Sequence, residues 1–214
     1  MTGKTHFIVG TTAALLITQP QDAKSIALTI GFAGIAAMYP DIDSPTSIIH
    51  KKTKEVVSFF GTLIAILIAA CMYSAYTIAP ITQDPALFRL ILGFGAGFVF
   101  TLIGSHCSYQ GFTHSIFALI WVLLGVFVAG TPKDYLLCVL IGYTSHLILD
   151  LLNEMGEQLL FPLPFRFCLH LCKSDGFIDT MTQLSGYVIV SIYIVRLIPV
   201  ETMQSITQVL QKMW

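Results

Sequence analysis

The chain has 214 residues, of which 55% are hydrophobic and only 11% charged, and its formal net charge is −1. A soluble domain carries about a quarter charged residues, so most helix faces here have no polar side to offer water. The near-neutral balance gives no electrostatic case for nucleic acid, and five cysteines with no CxxC pair among them argue against a disulfide framework.

Two short apolar runs open the chain, 5–18 and 25–40, separated by "QPQDAK", a polar turn with a proline. Both are short for a full crossing. They are expected either to span with tucked-in ends or to form a re-entrant hairpin inside the protein. Lys4 precedes the first run, as it would in a signal peptide. No small-x-small cleavage site follows cleanly, so the run is expected to remain as a helix. Longer runs follow at 56–80, 86–104, 114–130, 134–152 and 182–199. A crossing takes roughly 17–25 apolar residues, which these supply. In the last segment, 201–214, Met203, Ile206, Val209, Leu210 and Met213 recur at helical spacing with polar residues between them, the pattern of a short interfacial helix. The expectation is one all-α domain over 1–214. It is a polytopic transmembrane bundle of roughly five full spans, an N-terminal short helical pair and a C-terminal amphipathic helix.

The polar residues are not scattered along these runs. His6 opens the first, and Asp41 and Asp43 in "YPDIDS" close the second. His114 stands between the runs 86–104 and 114–130, and His146 and Asp150 close 134–152. If the first two runs go in and out as a pair, all of these groups fall on one side of the membrane. The opposite ends carry Asp22, Asp84 and Asp134 and no histidine. Lys51, Lys52 and Lys54 put the populated side in the cytoplasm by the positive-inside rule.

Taken singly, each group has a structural reading. His146 and Asp150 share a helix face at i, i+4 and can satisfy each other as interhelical glue. The two aspartates after Pro40 suit a turn, and His114 suits a helix start with Thr113 as its cap. Taken together, three histidines and three aspartates on one side are the ligand types of zinc and similar divalent ions. Ionisable groups at membrane depth are costly and mark function. Such ions activate water and neutralise the charge that develops at a phosphoryl or carbonyl group. The three-residue-spaced "CLHLC", Cys168 to Cys172, has no second cysteine pair and is the weaker metal candidate.

"THFIVG" at the start, "PDID" at 40–43, "GFTHS" at 111–115 and "HLILDLLNEMG" at 146–156, followed by "LLFPLPFRF", resemble the YdjM-like family of membrane-bound metal-dependent hydrolases, itself distantly similar to zinc-dependent phospholipase C. The ordered pattern H-x-x-x-G, P-D-x-D, R-G-x-T-H-S and H-x-x-x-D runs through most of the chain. The resemblance implies a metal set of His6, Asp41, Asp43, His114, His146 and Asp150, with Gly10 completing the first motif. Two departures stand out. Gln110 replaces the arginine, and "DGFID" offers Asp179, or less readily Asp175, in place of a glutamate, which adds Asp179 to the expected metal set.

These readings lead to one expectation. The chain is a divalent-metal-dependent hydrolase of the bacterial inner membrane, using zinc, as one ion or more, with its site on the cytoplasmic side. It acts on an ester or phosphoester of a lipid or another membrane-proximal substrate. Asp41, His146 and Asp150 would do the catalytic work. The alternatives are an ion or metal transporter using the same ligands, which should show inverted repeats and broken helices, and a non-catalytic membrane protein whose metal is structural.

Overall fold

A computed structural model describes residues 1–44, 55, 85–107 and 110–196. The runs 56–80 and 201–214 lie outside the described residues. Among those described, the regular structure is helical. It comprises α1 (Gly3–Thr18), α2 (Ala23–Met38), a 3-10 turn at Tyr39–Asp43, α3 (Pro85–His106), a second 3-10 turn at Phe112–His114, α4 (Ile116–Val128), α5 (Lys133–Leu151) and α6 (Phe177–Val195). The sequence Ala23–Asp43, α5 and α6 are each long and apolar enough to cross a membrane; α4 and Phe88–Gly104 are shorter apolar helices. The run 25–40, which looks short for a crossing, therefore belongs to a 21-residue apolar segment once the turn that follows it is counted.

Local chemistry sets the helix ends. Thr2 caps α1 by accepting from the Thr5 N–H, and Asp22 caps α2 through Ser25, each filling an orphan donor of the first turn. Pro40 lacks an N–H and cannot continue the α-helical ladder. The chain there tightens into the 3-10 turn that carries Asp41 and Asp43. Ser115 caps α4 through the Ala118 N–H at 3.1 Å. Thr113 is thus not the cap its position suggests; its hydroxyl is spent on Asp43.

Helices α1, α2 and α5 pack against one another, α6 lies on α1, and α3 pairs with α4. The three-helix junction closes on Gly10. A Cβ there would stand 2.6 Å from the Ala37 Cβ, 3.1 Å from Ser145 Oγ and 3.4 Å from the Gly142 Cα. Small residues let helix backbones approach in this way where there is no water to drive association. A second apolar cluster joins Phe100, Phe112, Ala118, Val139, Tyr143 and Leu147 beneath the 3-10 turns. Many large apolar side chains remain exposed along α4 and α6, among them Leu124, Phe127, Val188 and Ile192, as lipid-facing surfaces do.

After α5 the chain runs without regular structure to residue 176. This segment is tied down by backbone bonds: Leu169 and Leu171 donate to Leu151 and Leu152, Ile116 donates to Leu159, and Gln158 donates to Gln110. It thereby binds the end of α5 to the start of α4, where the polar residues gather.

Candidate metal centre

Asp41, His114, His146 and Asp150 each aim one ligand atom at a common point, and these atoms all lie within 4.8 Å of one another. Two 3-10 turns and the last two turns of α5 supply them. His146 Nδ1 lies 2.7 Å from the Ala37 carbonyl of α2. That carbonyl can only accept, so Nδ1 carries the hydrogen and Nε2 is left as a bare lone pair facing the cluster. His114 is held in the same sense. Its Nδ1 lies 3.4 Å from Asp43 Oδ2 and 3.1 Å from the Thr113 hydroxyl, which turns its Nε2 inward. A partner that fixes ring orientation and tautomer is the usual support of a metal-bound histidine.

The inward atoms form a nearly equilateral triangle. His114 Nε2 and His146 Nε2 are 3.1 Å apart, and Asp150 Oδ2 is 3.4 Å from the first and 3.5 Å from the second. Ligands about 2.0–2.1 Å from a tetrahedral zinc stand about 3.3 Å from each other, so the triangle fits one face of such a coordination shell. Asp41 Oδ1, 4.0 Å from His146 Nε2, is the fourth donor. Its side chain is 16% exposed, whereas those of His114, His146 and Asp150 are 5% or less. The cluster is therefore sealed except on the Asp41 side.

The other residues expected at the site divide into two groups. His6 touches it: its ring stacks on His146 with centroids 3.9 Å apart, and its Nε2 lies 3.1 Å from Asp150 Oδ1. The Met1 amino group donates to the same oxygen at 3.1 Å. His6 Nδ1 and Asp43 Oδ1 are buried without a hydrogen-bond partner. Asp43 acts from behind, through His114. Asp179 stands apart from the four. Buried in the first turn of α6, it accepts from the Thr2 N–H at 3.4 Å and from the Asp175 N–H at 3.0 Å, which pins the start of α1 to the start of α6. Cys168 and His170 lie together, with Sγ 3.3 Å from Nδ1, but Cys172 pairs with Asn153 through the backbone and no second metal-holding group occurs among the described residues.

A family model, that of the YdjM inner membrane protein, matches residues 1–205. The chain belongs to this family. Among similar proteins, the inner membrane protein YdjM of Escherichia coli K12 is 37% identical over 66 residues, covering 28% of this chain and 33% of that protein. The uncharacterized protein YvsG of Bacillus subtilis 168 is 33% identical over 95 residues, covering 43% of this chain and 58% of YvsG. The aligned parts thus span about one third to three fifths of those relatives. No solved structure matches. Family membership and the apolar helices make the chain an integral membrane protein of the inner-membrane type.

Two buried polar residues near the centre, Gln110 and Glu157, lie outside the set of expected ligands. Glu157 is fully buried, and burial pushes its carboxyl up to about 8; His114 pulls it down and Asp150 pushes it up. Gln110, noticed only as a departure from the motif, is also fully buried. A carboxylate in an apolar stretch, "NEMGEQLLF", was the one signal available for Glu157.

Proposed function

We propose that the chain is a divalent-metal-dependent hydrolase acting on an ester or phosphoester of a membrane lipid, with its centre at the cytoplasmic face. The observation that carries this reading is the four-ligand cluster that is buried on three sides and open at Asp41. His114, His146, Asp150 and Asp41 would hold the ion, with zinc the best fit to two imidazoles and two carboxylates. Asp150 Oδ1 is taken by His6 and the Met1 amino group, so an additional ion at that oxygen would have to displace the ammonium. A bound ion of this kind supplies Lewis acidity, lowering the pKa of water and neutralising charge on the group attacked.

The chain's own residues do the rest. Asp43 and the Ala37 carbonyl keep both imidazoles in the tautomer that presents Nε2. Asp41, at the open edge, is placed to accept a proton from an incoming water. Phe112, Tyr143 and Leu147, close to His114 and His146 in the chain, belong to a buried apolar cluster, and an apolar surrounding strengthens charge interactions. The ligands sit at helix ends and in turns rather than at broken helices in mid-span, which favours an enzyme over a transporter.

The test is turnover by the purified full chain in lipid nanodiscs, screened on phosphoester and carboxylester lipids with added zinc or manganese. His146→Ala and Asp150→Asn are expected to abolish turnover while the protein still inserts and melts cooperatively. Variants that stay fully active but melt early would assign the pair to the fold alone. Metal-dependent ion uptake by vesicles, with no ester cleaved, would make the protein a transporter.

A further inference from the structure

Gln110 and Glu157 have no assigned task. Both are 0% exposed, and all four of their side-chain polar atoms lack a hydrogen-bond partner. Several neighbouring buried groups are satisfied, the Thr113 hydroxyl by Asp43, the Tyr143 hydroxyl by the Thr113 carbonyl, and Ser115 by the Phe112 carbonyl, although Asp43 Oδ1 and His6 Nδ1 are not. Folded proteins rarely leave such groups unpaired, because each forfeits its hydration for nothing. Two of them, on segments joined by the backbone bond from Gln158 to Gln110, are better explained by a molecule that pairs with them during function.

Their placement is rigid and close to the metal centre. Gln158 donates to the Gln110 carbonyl at 3.0 Å, while Glu157 and Phe167 exchange backbone bonds at 3.0 and 2.9 Å. Residue 110 leads directly into the turn that delivers His114, whose N–H bonds to the Gly111 carbonyl at 3.2 Å. Glu157 is near enough for the charges of His114 and Asp150 to act on it.

The donor and acceptor inventory selects the ligand. The glutamine amide offers two donors and an acceptor, and a neutral carboxyl offers one donor and an acceptor. A phosphate oxygen only accepts: it could take the amide N–H and the carboxyl O–H but would leave both carbonyl oxygens unpaired. An ammonium only donates and would leave the amide NH2 unpaired. A hydroxyl does both, and pairs with either side chain. We propose that Gln110 and Glu157 form a hydroxyl-recognising subsite beside the metal centre, selecting substrates whose head group carries a free hydroxyl, as a polyol does. This rests on the hydrolase reading for its substrate class, but not for its binding measurement.

The experiment uses the zinc-loaded full chain in nanodiscs, with glycerophosphoglycerol and glycerophosphoethanolamine as soluble probes in calorimetric titrations. Phosphatidylglycerol and phosphatidylethanolamine as the nanodisc lipid provide the turnover arm. Wild type is expected to bind the hydroxyl-bearing probe about tenfold more tightly, the effect of one good hydrogen-bonded group. Gln110→Leu and Glu157→Leu should erase that preference with zinc content unchanged, and should melt above wild type because an unpaired buried group is gone. Glu157→Gln, which is isosteric, should weaken the preference even if a leucine variant fails to fold. Preference for the soluble probe without preference between the lipids would make a free polyol phosphate the ligand; both preferences together would make it a lipid head group. Equal binding of the two probes by wild type, or a preference that Glu157→Gln leaves intact, overturns the subsite. Preference without turnover on either lipid would overturn the hydrolase reading and leave the subsite standing.

Discussion

Gly10→Ala gives the sharpest test of how the helix packing holds the metal centre. The added Cβ would lie 2.6 Å from the Ala37 Cβ, with Ser145 Oγ at 3.1 Å and the Gly142 Cα at 3.4 Å. Carbon atoms rest about 3.5–4.0 Å apart, so α1 and α2 must separate by about 1 Å to admit one methyl group. Overpacking of that kind costs about 1–3 kcal/mol. The displacement has a specific victim. Ala37 supplies the carbonyl that orients His146, and the same helix leads into Asp41. Loss of such an orienting partner typically costs about 10–100-fold in metal affinity, which is the expected fall for Gly10→Ala. Gly31→Ala is the control: on α2 as well, its Cβ would meet nothing within 4 Å, and removing a helical glycine should stabilise by about 0.5–1 kcal/mol. Zinc titration and thermal melting of both variants in the same detergent decide the matter. Gly10→Ala that binds and melts like wild type, or Gly31→Ala that is equally damaging, would refute the argument from close packing.

Three further outcomes follow from the site. Protein purified without chelator should contain at least one divalent ion by elemental analysis, with Asp150→Asn losing it; at ion concentrations about 100 times the Kd, stripping the ion should remove about 2.7 kcal/mol of stability, and folded wild type free of metal would end the metal reading. Glu157 has its folded pKa raised from an ordinary 4.5 to about 8. Between those values the unfolded chain has lost a proton that the folded chain keeps, so raising the pH favours unfolding. Metal-free wild type should therefore lose stability steadily from about pH 4.5 to about pH 8, on the order of a few kcal/mol, while Glu157→Gln lacks that slope; parallel profiles would contradict it. On a cysteine-free background, Asp22→Cys and Lys133→Cys should be labelled from one side of the membrane and Glu154→Cys from the other, and labelling of positions 22 and 154 from the same side would break the one-sided placement of the ligands.

Much of the centre was legible because its signals are local. The i, i+4 spacing of His146 and Asp150 fixes a shared helix face, and the proline before Asp41 predicts the turn that frees both aspartates from a helical ladder. Counting crossings put His6 and His114 at the same end, where the structure brings them to the same carboxylate. What the sequence does not reveal is which expected ligand binds and which supports. Asp43 reaches the cluster through His114, and Asp179 is spent on backbone amides of Thr2 and Asp175; a carboxylate looks the same in a sequence whether it faces an ion or an N–H. Glu157 was hidden for another reason. The segment that carries it has neither the period of a helix nor that of a strand, so its burial depends on backbone pairings with residues 110 and 167 that no spacing rule anticipates. Of the expected spans, three helices among the described residues have the required length and apolarity; the amphipathic segment 201–214 and the run 56–80 lie outside those residues.

The order in which the ligands are synthesised has a consequence for how the protein is made. Positions 6, 41 and 114 enter the membrane early, each from a different element. A nascent chain that has inserted only through α4 can bring together at most Asp41 and His114 of the four, and His6 and His114 still lack the carboxylate that both approach. The last two turns of α5 then deliver both missing ligands. If the cluster holds a cation, capture should therefore switch on only as those turns arrive, and arrested chains truncated before residue 146 and after residue 150 would differ sharply. Late closure of this kind leaves little opportunity for a half-built centre to trap the wrong ion during insertion.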